Sequence, residues 1–222
     1  MAVQREFLKS LPYFAGLDES VLDILKQHVF EKKAERGEIL AFEGERSDIL
    51  YFVVEGAVKV FKTSADGKEQ IFRIIRPGES FNDVPVLSGG INLVSAESMG
   101  PVVLNAIKKS DLEAILHERP QIAMNVIQVL SQRVQELVSL VEDFSFRHVT
   151  SRVAKMLLEY ADQVDHERPR LTQQEMAAII GTAREMVGRS LKTLEEDGSI
   201  RMDRNRIVIT DHVALREAAG VV

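Results

Sequence analysis

The chain has no cysteine among its 222 residues. That absence excludes disulfide bonds, thiolate redox switches and iron–sulfur clusters, whatever the fold. No apolar run approaches the roughly 18 residues that a membrane-spanning helix needs. The first seven residues carry charges where a secretory signal would need an apolar stretch. We therefore expect no membrane partner and a cytoplasmic location.

Histidine is also scarce, and none of it lies between residues 38 and 107. The five histidines show no paired ligand spacing and are His28, His117, His148, His166 and His212. A cupin-like metalloenzyme would need clustered histidine and carboxylate ligands on its strands. We therefore predict no metal site and no enzyme activity, with the cupin-like enzyme as the alternative. Haem stays open as a cofactor, because histidine alone can ligate it.

Negative charge is unevenly distributed along the chain. The formal net charge is −6, from 28 Lys and Arg against 34 Asp and Glu. Residues 146–222 hold 12 of each kind, so the whole acidic excess lies in residues 1–145. The total charge argues against a nucleic-acid partner, but a neutral C-terminal region can still present a basic face.

Short β-prone runs punctuated by glycine follow a helical N-terminal segment. Asp66-Gly67 between two of them is a hairpin signal. Strand spacing of 8–12 residues with turn residues between the runs is typical of an antiparallel barrel or jelly roll. The predicted strands are 38–42, 49–55, 58–63, 70–75 and 102–107, with a glycine-bearing stretch at 81–98 before the last.

A long helix is predicted from Pro120 to about Phe144, and it has two apolar faces. One is a heptad-like seam, interrupted by Arg133. That seam contains Val126, Leu130, Leu137, Leu140 and Phe144, and we predict it as a dimer interface. The second face contains Ile127, Val134, Val138 and Val141. One face would pack on the β-domain and the other on a twin helix; an ordinary core helix is the alternative. The pattern breaks at 143–148, the candidate hinge.

The C-terminal third contains two adjacent helix-start signals. Thr172 and Glu175 have the spacing of a capping box, and Gly181 tolerates the backbone conformation that ends a helix. Thr182 and Glu185 have the same spacing and predict a second capping box. Two short helices joined by a tight glycine turn form a helix-turn-helix.

The second helix of this motif carries a charged face. Arg184, Glu185 and Arg189 lie opposite its apolar residues. Arginine donates two hydrogen bonds to guanine, and glutamate accepts one from cytosine. Gly188 would let the helix backbone approach a DNA groove closely. We predict that the three charged residues read DNA bases; a solvated face with local ion pairs is the alternative.

Two short strands, at 200–202 and 206–210, follow Gly198 and indicate a wing. Arginines in and between them have the chemistry for phosphate contacts, which position a protein on DNA without reading its sequence. Solubility alone is the alternative explanation for these arginines. The predicted contacts to the DNA backbone are Thr172, Thr182, Gly188, Arg201, Arg204 and Arg206.

The order of these segments, with the run Gly-Thr-Ala-Arg-Glu-Met-Val-Gly-Arg, resembles the cyclic-AMP receptor protein / fumarate–nitrate regulator family over essentially the whole chain. The resemblance implies an α+β fold. Residues 1–118 would form a cyclic-nucleotide-binding-like β-barrel sensor, 119–145 a dimerisation helix, and 146–222 a winged helix-turn-helix. It also implies a homodimer on double-stranded DNA, reading palindromic TGTGA-like half-sites about 34 Å apart, and contact with RNA polymerase.

The sensor cassette departs from this family's nucleotide-binding pattern. The expected effector positions are Phe81, Asn82, Asp83, Val84, Asn92 and Leu93. Asp83 stands where the family has a ribose-binding glutamate, Asn92 where it has a phosphate-binding arginine, and Leu93 where it has a hydroxyl.

Losing the arginine removes a bidentate phosphate contact, and we expect Asp83 to repel an anion. We predict that cyclic AMP is not the effector. The effector is unknown: an uncharged molecule or an organic acid in this pocket is one possibility. A regulator controlled by its abundance, with a vestigial pocket, is the other.

Overall fold

The computed structural model describes residues 4–161, 171–203 and 206–221. The chain forms two compact units. The first comprises Met1–Lys62 and Phe72–Glu136, and the second comprises Thr63–Ile71 and Leu137–Val222. The boundary between the units falls within the long helix, whereas residues 119–145 were predicted to form a separate segment.

One of the described helices, Pro120–Phe146, is much longer than the others. None of the described helices is long and apolar enough to cross a lipid bilayer. A 3₁₀ turn occupies Pro12–Phe14. The α-helices are α1 (Arg5–Ser10), α2 (Glu19–His28), α3 (Asp83–Ser88), α4 (Lys109–Glu118), α5 (Pro120–Phe146), α6 (Val149–Ala161), α7 (Gln173–Ile180), α8 (Arg184–Glu196) and α9 (His212–Ala219).

The strands form two four-stranded sheets and one two-stranded ribbon. They are β1 (Val29–Ala34), β2 (Ile39–Ala41), β3 (Ile49–Glu55), β4 (Val58–Thr63), β5 (Glu69–Ile75), β6 (Ser80–Phe81), β7 (Ser95–Ser98), β8 (Val102–Lys108), β9 (Ile200–Asp203) and β10 (Arg206–Ile209). The sheet orders are β1-β8-β3-β6 and β2-β7-β4-β5, with β9 and β10 paired separately. The non-sequential orders confirm the predicted jelly-roll type of antiparallel sheet.

Aromatic rings fill the core where the N-terminal segment meets the sheet. The ring centroids of Tyr13 and Phe52 lie 5.2 Å apart in an edge-to-face arrangement, and Phe14 lies 5.6 Å from Phe52. All three side chains are almost completely buried. Such edge-to-face pairs stabilise a core beyond the area they bury. This packing fixes the position of the Tyr13 hydroxyl.

Gly56 connects β3 to β4 at a point where no side chain fits. Its φ is +83°, and a Cβ there would lie 2.4 Å from the carbonyl oxygen of Pro101. Only glycine satisfies both the left-handed backbone and this close approach. The glycine that separates these two predicted strands therefore has a packing role as well as a turn role.

The second unit has its own core. It is formed by apolar faces of α6, α7, α8 and α9 together with Ile200 of β9. Ala177 of α7 is 1% exposed, which agrees with the prediction that a small residue lies where the two helices of the motif approach closely.

Several described elements were not predicted from the sequence, among them β6, β7, β1, α3 and α9. β1 shows no regular alternation of buried and exposed residues, and its sequence Val-Phe-Glu-Lys-Lys-Ala is half charged. α3 lies within the glycine-bearing stretch and contains Pro85 in its first turn, where a missing N–H is tolerated. α9 begins after Asp211, whose carboxylate caps two backbone N–H groups.

Candidate functional site

A complete capping box begins α7. The Thr172 hydroxyl accepts a hydrogen bond from the backbone N–H of Glu175 at 3.2 Å, and the Glu175 carboxylate accepts one from the backbone N–H of Thr172 at 2.6 Å. Two N–H groups that have no partner within the helix are thereby satisfied. The structure confirms this predicted helix start.

Gly181 ends α7 as predicted. Its φ is +65°, and a Cβ there would lie 3.1 Å from the ring of Phe144. The second predicted capping box is wrong, because α8 begins one residue later, with Ala183 as its N-cap and no side-chain cap. Thr182 instead donates its backbone N–H to the Ala177 carbonyl at 3.0 Å and completes the end of α7.

The start of α8 presents a charged face to solvent. Arg184, Glu185 and Arg189 are exposed, whereas Val187 and Leu191 on the opposite side are at most 2% exposed. Within the described parts of the chain, neither of these arginines forms an ion pair. The apolar side anchors the helix, and the three charged side chains at its N-terminal end are exposed to solvent.

Two further residues lie on or beside this face. A Cβ at Gly188 would lie 3.7 Å from the side-chain oxygen of Gln173, an ordinary contact, so packing in the unit does not require glycine there. Lys192 is 77% exposed and lies 3.6 Å from Glu196. Lys192 was not among the predicted DNA contacts, although its position four residues after Gly188 places it on the same face.

The wing is an antiparallel ribbon in which Arg206 faces Asp203 and Val208 faces Arg201. Arg201 and Arg206 are exposed. The backbone N–H of Met202 donates to the Glu195 carboxylate at 2.7 Å, which ties β9 to α8. Arg204 lies outside the described residues.

The five residues predicted to form the dimer interface differ in their exposure along α5. Val126 is 5% exposed and belongs to the core of the first unit, and Leu130 packs against that core. Val126 is therefore committed to that core, whereas Leu130 is only partly buried, and the predicted dimer interface stays a prediction. Leu137 and Phe144 are 49% and 40% exposed, and Leu140 is half-buried.

The exposed stripe on α5 is the second face. Its four apolar side chains are between 55% and 64% exposed and are Ile127, Val134, Val138 and Val141. They recur at steps of seven, four and three residues, so they line one side of the helix. An apolar row of this length on a helix is typical of a surface that another protein covers.

A buried polar network surrounds Asp83, which is only 2% exposed. Its carboxylate accepts hydrogen bonds from the Tyr13 hydroxyl and, at 3.0 Å, from the Ser80 hydroxyl, and it pairs with the Arg133 guanidinium. Arg133 also donates to the Ser80 carbonyl at 2.7 Å. Burial, reinforced by the nearby Asp83 charge, raises the pKa of Tyr13 above its ordinary value.

This network corrects the expectation that Asp83 repels an anionic ligand. Its charge is buried and compensated by Arg133, and the side chain joins α3 to α5. Replacing the family's glutamate with the shorter aspartate therefore leaves a structural ion pair at this position. The arginine that interrupts the apolar seam is the feature of the sequence that corresponds to this pair.

The remaining predicted effector positions do not converge on one space. The Asn82 amide donates to the Ile49 carbonyl at 3.1 Å, and the Asn92 amide donates to the Phe42 carbonyl at 2.9 Å. Both asparagines therefore hold loops in place. Phe81 stacks on the ring of Tyr51 in the core, whereas Val84 and Leu93 are 48% and 57% exposed.

The predicted hinge is held by charged contacts. α5 ends at Phe146 and α6 begins at Val149, so only two residues separate them. The Asp143 carboxylate lies 2.8 Å from the Arg147 guanidinium and 2.5 Å from the Lys155 ammonium group. Arg147 also donates to the Ala219 carbonyl at the end of α9. Asp143 therefore links the end of α5 to α6.

A metal centre does not emerge from the part of the chain that the structure describes: no group of three or more His, Asp and Glu side chains there is arranged to hold an ion. His28 lies 3.6 Å from Asp111, and His166 lies outside the described residues.

Two domain families match the chain at the positions of these features. Residues 31–119 match the cyclic nucleotide-binding domain, and residues 151–218 match the Crp-like helix-turn-helix domain. The first match covers most of the β-sheet region and α4, and the second covers the helix-turn-helix and the wing. The sensor and the DNA-binding motif are thus recognised independently.

Similar proteins cover nearly the whole chain. The "CRP-like cAMP-activated global transcriptional regulator" of Mycobacterium tuberculosis is 28% identical over 96% of this chain and 99% of its own length. The "cAMP-activated global transcriptional regulator CRP" of Pasteurella multocida is 30% identical over 77% of this chain and 85% of its own. The structure of FixK2 from Bradyrhizobium japonicum has the same fold, with a TM-score of 0.77 at 23% identity, covering 86% of this chain and 96% of FixK2.

The relatives are transcription regulators and not enzymes, so the cupin-like alternative is dropped. Order of elements, helix-turn-helix geometry and sequence similarity all agree with the resemblance noted in the sequence. The chain belongs to the CRP/FNR family of DNA-binding transcription regulators.

Proposed function

We propose that this regulator binds DNA as a homodimer and reads a palindromic site, with half-sites similar to TGTGA, through Arg184, Glu185 and Arg189. The observation that carries the proposal is the outward-facing start of α8, where these side chains are exposed and the arginines make no ion pair within the described residues. The opposite face of the helix is locked in the core of the second unit.

The chemistry of this face suits base recognition. Each guanidinium donates two parallel hydrogen bonds to O6 and N7 of guanine, and the carboxylate accepts from N4 of cytosine. Each such pair discriminates against a wrong base by about 1–3 kcal/mol. Contacts to the DNA backbone would then fix the register, through Thr172, Thr182, Gly188, Arg201, Arg204 and Arg206.

The exposed stripe on α5 supports dimerisation. Burying Ile127, Val134, Val138 and Val141 against the same stripe of a second chain removes apolar surface from water, at about 25 cal/mol for each Å². In a symmetric dimer on DNA, the two copies of α8 would lie in successive major grooves, about 34 Å apart. Contact with RNA polymerase and a cytoplasmic location belong to the same proposal, and activation and repression are both compatible with it.

An effector other than cyclic AMP is the second part of the proposal. The two named relatives are described as activated by cAMP. In this chain Asn92 is 3% exposed and its amide is bound to the Phe42 carbonyl, so it offers a phosphate no positive charge. Leu93 offers no hydroxyl. A regulator without an effector, controlled by its abundance, is the alternative.

Selection of bound sequences from a random duplex library, using the purified full-length protein, tests the DNA-binding part. We expect an inverted repeat whose half-sites lie one helical turn, about 10–10.5 base pairs, apart. Enrichment of a single asymmetric half-site would contradict the homodimer, and no enrichment would contradict sequence-specific binding. Titration calorimetry with cyclic AMP tests the effector part: we expect no binding, and micromolar binding would contradict it.

A further inference from the structure

A cavity of about 310 Å³ lies in the first unit, beside the Asp83 network. It is bounded by α5, the 3₁₀ turn at Pro12–Phe14 and the turn that leads into β6. Tyr13, Ser80 and Arg133 of the network form part of its wall. Its walls include none of the six positions where the family's nucleotide cassette would place an effector, so it is a separate space.

The charges around this cavity disfavour an anion. Arg73 lies 2.5 Å from Glu79 and 3.5 Å from Glu136, and both carboxylates line the cavity. The Arg133 guanidinium is paired with Asp83 behind the wall. Two guanidinium groups and two carboxylates thus line the cavity, and Asp83 lies behind it. Because each guanidinium already has a carboxylate partner, the wall offers an anionic ligand no uncompensated positive charge, whereas a neutral or cationic ligand needs none.

The other wall groups suit a small polar molecule with an apolar part. Gln128 and Gln132 supply amide donors and acceptors, and Val129 and Pro12 supply apolar surface. The buried Nε of Arg133 has no hydrogen-bond partner within the described residues. A volume of about 310 Å³ lies at the lower end of the range for ligand pockets, roughly 300–1,000 Å³.

Occupation of this cavity would act directly on α5. Arg133 lines the cavity and also holds α5 to Asp83 and Ser80. The same helix carries the exposed stripe Ile127, Val134, Val138 and Val141, which the proposed dimer uses. A ligand that contacts Arg133 in only one arrangement of α5 would favour that arrangement, which is the differential contact that a population shift requires.

We propose that this cavity is the effector site, and that its ligand is a small hydrogen-bonding molecule without negative charge. The inference rests on the proposed function, because it assigns the effector of the same DNA-binding dimer. It differs from the family's nucleotide cassette in both position and charge preference.

The absence of native cysteine allows a direct test by tethering. Gln132→Cys places one thiol on the cavity wall, and Gln27→Cys, an exposed position on α2 outside that wall, is the matched control. Each variant is labelled with methanethiosulfonate reagents that attach a benzyl, a trimethylammonium-ethyl or a sulfonatoethyl group. Labelling rates and affinity for the selected operator are then measured.

For each variant, the labelling rate of the cationic reagent is divided by that of the anionic reagent. We expect this ratio to be at least about threefold higher at position 132 than at position 27. We also expect the benzyl adduct at 132 to change operator affinity by about fivefold or more, and the adduct at 27 to leave it unchanged. Equal rate ratios at the two sites, or unchanged operator affinity after labelling at 132, would overturn the proposal. The rate ratio involves no DNA, so failure of the DNA-binding proposal is detected separately, with unlabelled protein.

Discussion

The guanidinium of Arg133 on α5 lies against the carboxylate of Asp83 on α3, and both groups are largely buried. This pair explains why an arginine interrupts an otherwise apolar seam. Arg133 follows Val126 and Leu130 on the side of α5 that faces the core of the first unit. Instead of contributing an apolar contact, it compensates a buried charge and joins the long helix to the sensor domain.

Replacing only Arg133 should destabilise the first unit more than replacing both partners of this pair. Arg133→Leu leaves the Asp83 carboxylate buried without its counter-charge, so we expect its free energy of unfolding to fall by about 3–5 kcal/mol. The double variant Asp83→Asn with Arg133→Leu should lose less than the Arg133→Leu variant alone. Urea unfolding followed by circular dichroism measures both. Additive losses in the double variant would contradict a direct coupling.

Alkaline pH should reveal the buried Tyr13 hydroxyl. Burial and the Asp83 charge raise its pKa above the unfolded value of about 10, so folding favours its protonated form. Its contribution to stability is therefore complete below about pH 10 and is lost as the pH rises above that value.

Phenolate absorbance should show that Tyr13 ionises only when the protein unfolds, and Tyr13→Phe should make the alkaline loss of stability less steep. Tyr51, whose pKa burial also raises, should behave similarly in both proteins. Ionisation of Tyr13 near pH 10 in folded protein would argue against this network.

The exposed stripe on α5 predicts where a charge prevents dimerisation. Val138 is 62% exposed, and Val138→Lys places an ammonium group in the middle of the proposed interface. Val213 on α9 is 66% exposed, so Val213→Lys is a matched control of the same chemistry. Sedimentation at micromolar concentration should give a monomer for the first variant and a dimer for the second. A dimer for both would place the interface elsewhere.

Substitution of Gly188 should change protein stability and DNA binding in opposite directions. Glycine inside a helix costs roughly 0.5–1 kcal/mol relative to alanine, and the described neighbours leave room for a Cβ. Gly188→Ala should therefore raise the free energy of unfolding slightly while weakening operator binding, because the added methyl group holds the helix away from the DNA. If binding is unchanged, the DNA does not approach the backbone at this position.

Local signals in the sequence predicted the helix-turn-helix well. Thr172, Glu175 and Gly181 act within one helix or its end, so their spacing alone determines what they do. The second capping box was wrong because the turn needs one more extended residue, Ala183, before α8 begins. Spacing fixes which groups are near one another in the chain but not the length of the turn.

Long-range relationships were less accessible. α5 has two apolar faces that look equivalent in the sequence, and only the position of the β-sheet core decides that Val126 is buried and Ile127 exposed. The role of Asp83 depends on Arg133, fifty residues away. The cavity beside the Asp83 network is formed by segments that are distant in the chain, so no local sequence motif predicts this cavity.

Base preference in arginine variants tests whether α8 reads DNA bases. Binding of Arg184→Ala, Arg189→Ala and Arg206→Ala to every single-base variant of the selected operator should be measured at fixed salt. We expect Arg184→Ala and Arg189→Ala each to lose about 1–3 kcal/mol of binding free energy on the operator and to lose base preference at one position of each half-site. Arg206→Ala should weaken binding to all sequences alike. A uniform loss in all three variants would contradict base reading by α8.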